Sequence, residues 1–165
     1  MFTFLRSIGV YPLEWSEAVL ATGKTNPYTS EIVETAFKIA QAVIVLMTPD
    51  DEGNLRAIFR EKGDPTHEVQ LTPQARLNVI FEAGMAMGRF PDRTLLVELG
   101  VLRPFSDIAG TNVVRLNNTS QRRQELAQRL QLAGCPVNLS GTQWHNAGDF
   151  KKSIENPLIT ERSTK

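Results

Sequence analysis

The chain has one cysteine, Cys135, and two histidines, His67 and His145, in 165 residues. A single thiol excludes an intramolecular disulfide and fits a reducing compartment. Placed before Pro136, Cys135 reads as a small buried hydrophobe rather than a nucleophile. The histidines have no second ligand at metal spacing, so a zinc centre has no support. Charge of one sign is lacking too, since 18 Lys and Arg balance 18 Asp and Glu. Nothing in that balance points to nucleic acid or to a membrane surface as partner. The longest apolar run, Ala42 to Met47, has the length of a strand, and no signal peptide is read, so the expected location is cytoplasmic. No Gly-x-Gly-x-x-Gly loop, Walker loop or Gly-x-Ser-x-Gly elbow occurs. Hydrolysis by a triad or by a metal therefore has no footing, and carboxylate chemistry remains.

What is present is an ordinary globular composition, 41% apolar and 22% charged. The length suits one domain with a sizeable core. Its most informative stretch is Gln74 to Gly88, which reads Gln-Ala-Arg-Leu-Asn-Val-Ile-Phe-Glu-Ala-Gly-Met-Ala-Met-Gly. The pattern predicts a helix buried on most of its circumference. Asn78 and Glu82 interrupt it four residues apart, one turn from each other on one face. A carboxylate in such a setting is costly unless paired or used. Gly84 and Gly88 each cost a helix about 1 kcal/mol relative to Ala, which suggests a close backbone approach. Two readings of Glu82 stay open. It can stabilise an electron-poor sugar carbon while a glycosidic bond breaks, or it can be a structural glutamate paired with Arg76 or Arg89.

Taken in order, Phe2 to Ile8 reads as the end of an amphipathic helix stopped by Gly9. Val10 to Trp15 reads as a short strand and Ser16 to Thr25 as loop. A helix follows from Asn26-Pro27. Ala42 to Met47 is a strand of the kind covered on both faces. The polar segment from Gly53 to Pro73 is expected to be a partly helical excursion, a possible lid. Strands are expected at Thr94 to Glu98 and Val113 to Leu116, and a helix at Gln121 to Ala133 with Leu126, Ala127 and Leu130 inward. Residues 1–150 form the domain and residues 151–165 a polar tail. This alternation implies an open α/β layer structure with a mainly parallel sheet and helices on both faces.

Ligands of such sheets bind beyond the carboxyl ends of the strands. That rule gathers Glu14-Trp15, Thr48 to Glu52, the start of the Asn78 helix and the loop Gly100 to Gly110. Within them, Asp50, Asp51 and Glu52 can orient a ribose hydroxyl, bind a cation or simply form a solvated acidic turn. Trp15 can stack on a base or serve as core or interface. Ser106 and Asp107 can contact a phosphate or cap a turn. Trp144 and His145 can line the pocket or lie elsewhere.

Three pieces together resemble a known family: Gln74-Ala-Arg-Leu-Asn-Val-Ile-Phe-Glu-Ala-Gly84, the strand Thr94-Leu-Leu-Val-Glu98 and Pro104-Phe-Ser-Asp-Ile-Ala-Gly110. They are similar to the bacterial TIR-like proteins described as nucleotide-binding, which include TIR effectors of cyclic-nucleotide antiphage systems. The resemblance implies a flavodoxin-like TIR fold and cleavage of NAD+ to nicotinamide and an ADP-ribose, linear or cyclic. It implies NAD+ as substrate with no separate cofactor and no metal. It also implies self-association through TIR–TIR contacts and a sensor supplied by another protein. The family's catalytic glutamate maps onto Glu82, with Asn78, Trp15, Arg76, Asp50, Ser106 and Asp107 as candidate substrate contacts. The loop from Trp15 to Asn26 would correspond to the mobile loop that governs assembly. Two departures stand out. Leu77 replaces the family's usual proline, a small change at a helix's first turn. Met1 falls inside the first helix, so the family's opening strand, central in its sheet, is missing from the sequence. Two alternatives accompany the hydrolase reading: a non-catalytic TIR module that binds nucleotide or assembles, and a nucleoside deoxyribosyltransferase-like enzyme.

Overall fold

A computed structural model describes residues 1–105 and 113–151. Helices α1 (Phe2–Ser7), α2 (Trp15–Ala21) and α3 (Thr29–Ile39) precede strand β1 (Val43–Met47). An excursion follows, containing β2 (Asp51–Gly53), α4 (Thr66–Val69) and β3 (Thr72–Gln74). Helix α5 (Leu77–Arg89) then leads to β4 (Thr94–Leu99), β5 (Val114–Leu116) and α6 (Ser120–Leu132). The main sheet has three parallel strands in the order β1-β4-β5, with Val43 opposite Thr94 and Glu98 opposite Arg115. Among the described residues β1 has a strand neighbour on one side only.

Alternation along the strands divides the core in two, because successive side chains point to opposite faces. Val43, Val45, Met47 and Leu96 pack with Ala75, Ala83 and Ala86 on the α5 side. Ile44, Leu46, Leu95, Val97 and Leu99 face the other way, against Phe4 and Ile8 of α1, Leu126 and Leu130 of α6, Trp144 and Phe150. Helices thus cover both faces, as a buried parallel sheet requires. The expected termini are present: Gly9 (φ 77°) and Gly134 (φ 88°) take the left-handed conformation after α1 and α6. Arg93 closes the far end of α3 by donating to the carbonyls of Phe37 (2.8 Å) and Ala40, while Arg89 pairs with Glu34 at 3.1 Å.

Several local expectations are corrected. No strand forms at Val10 to Trp15; residues 10–14 are irregular and Trp15 opens α2. The expected loop from Trp15 to Asn26 is therefore mostly helix, started by Glu17, whose carboxylate accepts the Glu14 N–H at 2.8 Å. Helix α3 begins at Thr29, not at Pro27, because Glu31 accepts the Tyr28 N–H at 3.0 Å. The excursion after β1 is partly helical, as expected, but it also holds an antiparallel pair, β2 with β3. Helix α5 is not buried on most of its circumference. Only Ala83 and Ala86 are buried on it, and Leu77 and Phe81 are 70% and 69% exposed. A Cβ at Gly84 or Gly88 would meet nothing within 4 Å, so no close approach explains those glycines.

Candidate functional site

Helix α5 carries the two polar residues that the sequence singles out. Asn78 stands exposed in its first turn and Glu82 is half-buried one turn later. Ala86, fully buried, lies four residues beyond Glu82, so the carboxylate borders the face that packs on β1. Among the described residues no side chain pairs with Glu82 or hydrogen-bonds it. The pairing with Arg89 that a structural role would need is not made, since Arg89 is engaged with Glu34. Arg76 is exposed at the N-cap of α5. Among the described residues Glu82 is thus a half-buried carboxylate with free acceptor capacity.

Among the described residues, none of the other candidates makes a hydrogen bond or ion pair with it. Trp15 is 55% exposed at the start of α2. Asp50 is exposed and accepts the Thr48 hydroxyl at 2.9 Å, the local turn arrangement. Ser106 and Asp107 lie outside the described residues. Trp144 is in the core, 6% exposed, stacked on His145 with ring centroids 3.8 Å apart. Its indole N–H donates to the Leu139 carbonyl at 3.2 Å, so Trp144 belongs to packing and not to a pocket wall. Cys135 is buried, and burial pushes its thiol above the usual cysteine range, which suits a packing role.

A cavity of about 240 Å³ does open beyond the carboxyl ends of β1 and β4, on the α5 side of the sheet. Met47 and Glu98 form its floor, Ile80 of α5 one wall, and Phe105 another. The excursion roofs it, held by an ion pair between Glu68 and Arg103 and by the Arg103 N–H donated to the Pro73 carbonyl at 2.6 Å. Glu82 is not among its lining residues. Ile80 and Glu82 are about 200° apart around the helix, so the cavity and the carboxylate lie on opposite flanks of α5. Sequence reasoning placed a ligand at this sheet edge but missed Glu68, Glu98 and Arg103. Glu98 was readable only as the end of a strand, and the other two are brought together across 35 residues.

A three-stranded parallel sheet between helical layers, with a glutamate unpaired among the described residues on the helix that crosses from β1 to β4, fits a TIR-like α/β domain. The model of the CAP12/Pycsar effector protein TIR domain matches residues 1–118, and the chain belongs to this bacterial antiphage family. Comparison with the curated proteins and with the solved structures gave no match.

Proposed function

We propose that this TIR domain is an NAD+ glycohydrolase, cleaving the nicotinamide–ribose bond to give nicotinamide and ADP-ribose, linear or cyclic, in antiphage defence. The observation that carries this reading is Glu82: half-buried on a helix and without a protein partner among the described residues. Breaking the bond to a cationic nicotinamide leaves positive charge on the ribosyl carbon, and a fixed carboxylate stabilises that charge where it develops. Asn78, one turn away, orients a ribose hydroxyl by its amide. Trp15 supplies an aromatic face for a base, and Arg76, at the start of the same helix, a cation for the pyrophosphate. Asp50, Ser106 and Asp107 complete the set of proposed contacts. NAD+ is substrate, and no further cofactor or metal is invoked.

The test is nicotinamide release from NAD+ by the folded chain and by Glu82→Gln. The amide keeps the shape and removes the charge, so a loss of about 100-fold or more is expected. Equal activity in the two proteins would overturn the assignment. Silence of both on NAD+ would favour the binding-and-assembly alternative, and exchange of bases between nucleosides the transferase alternative. Self-association is part of the reading: Leu77 and Phe81 form an exposed apolar ridge on α5, beside the glutamate. A separate sensor protein would supply the trigger.

A further inference from the structure

We infer that the cavity beneath the excursion is a second small-molecule site, which takes a planar nitrogen heterocycle bearing N–H donors and no phosphate. Its volume, about 240 Å³, falls below the roughly 300–1,000 Å³ of pockets that enclose drug-sized ligands. A base or a nucleoside fragment fits this scale; a dinucleotide does not. The lining decides the chemistry. Glu98 has a side chain only 19% exposed, and its ion-pair partner among the described residues, Arg115 at 3.2 Å, is 75% exposed and screened by solvent. A carboxylate has about four acceptor positions, so Glu98 keeps capacity for N–H groups of a ligand. Phosphate is disfavoured, because the lining cation Arg103 is already neutralised by Glu68 and a second carboxylate, Glu98, lines the same cavity.

A metal is disfavoured as well: no group of three His, Cys, Asp or Glu able to hold one occurs among the described residues. The walls accept a flat ring. Phe105, an aromatic residue 41% exposed, and Ile80 supply apolar lining, and Gln74 an amide that both donates and accepts. Stacking on an aromatic face suits any base, and the carboxylate favours those with N–H groups at the edge. Two sources share this chemistry, a nucleoside and free nicotinamide. Such binding needs no turnover at Glu82, on the opposite flank of α5.

The experiment is a titration of the folded chain with guanosine, adenosine, nicotinamide and ribose 5-phosphate, followed by the backbone amide signals of Gln74, Ile80 and Phe105. At least one heterocycle is expected to shift these signals saturably, while ribose 5-phosphate leaves them in place. The arm that saturates first identifies the source. Glu98→Gln is expected to weaken binding on the order of tenfold or more, since it removes a charged acceptor. Phe105→Ala is expected to weaken it by a similar factor through lost stacking. Glu82→Gln is expected to leave it unchanged, so that the titration reads binding and not turnover. The inference is overturned if no heterocycle shifts the three amides at millimolar concentration, if ribose 5-phosphate does so instead, or if Glu98→Gln binds as well as the parent. The amide spectrum itself shows that each variant is folded.

Discussion

Arg123 and Glu82 are charged residues on helices that meet opposite fates. Arg123 is 2% exposed and donates to the backbone carbonyls of Asn118, Ala147 (3.3 Å) and Gly148 (2.8 Å), with its guanidinium 4.8 Å from the Phe150 ring centre. Burial lowers its pKa from the ordinary arginine value, partly offset by the charge of Asp149, yet it stays cationic. It fastens the segment after α6 to the start of that helix. Arg123→Met is expected to cost about 3 kcal/mol in urea unfolding, because buried carbonyls lose their donors. Glu82 has no such partners among the described residues, so Glu82→Gln is expected to leave stability within about 0.5 kcal/mol while removing nicotinamide release. An equal loss of stability in both variants would mark Glu82 as structural. Arg123 stands among several charged residues of a polar helix, and nothing local in the sequence says that Ala147 and Gly148 return to it.

Helix α5 is the element on which the sequence reading was most nearly right and most instructively wrong. The pattern predicts a helix over Gln74 to Gly88, but it runs Leu77–Arg89, because Gln74 is taken by strand β3, paired with Asp51. Its burial does not follow, since apolar residues on nearly every side say that a helix is sticky, not which face has a neighbour. The sheet beneath it is narrow, so one flank packs and the Leu77–Phe81 ridge faces outward. With open space around it, Gly84→Ala is expected to stabilise the folded chain by about 0.5–1 kcal/mol, measured by chemical denaturation. Destabilisation instead would mean that this face approaches another surface closely. A similar lesson comes from α2. Its few apolar residues gave no period, and the helix forms because Ala18 packs while Glu17 holds the start, a local bond that side-chain spacing alone did not reveal.

At the scale of the whole molecule, the proposed hydrolase activity and the exposed α5 ridge belong together. If assembly positions substrate over Glu82, nicotinamide release per chain is expected to rise with protein concentration, and Leu77→Asp is expected to flatten that rise. A rate per chain that is independent of concentration, in a protein that sediments as a monomer, would remove self-association from the mechanism. The core itself is conventional. Leu126→Ala is expected to cost about 2–5 kcal/mol, because Leu126 is fully buried between α6 and the sheet.

The sequence by itself determined the α/β alternation, the strands at Ala42 to Met47 and Thr94 to Glu98, the inward Leu126, Ala127 and Leu130, and the choice of Glu82 as the residue to watch. Each of these rests on local periodicity or on an apolar run, which a chain carries wherever it is placed. The tertiary structure decided which flank of α5 is covered, that Trp144 is core, and that Arg123 holds the returning chain. It also decided that Glu68 and Arg103 close a roof over Glu98. Those outcomes depend on contacts between residues far apart in sequence, and a carboxylate or an indole has the same spelling in a core, a pocket or a solvated turn.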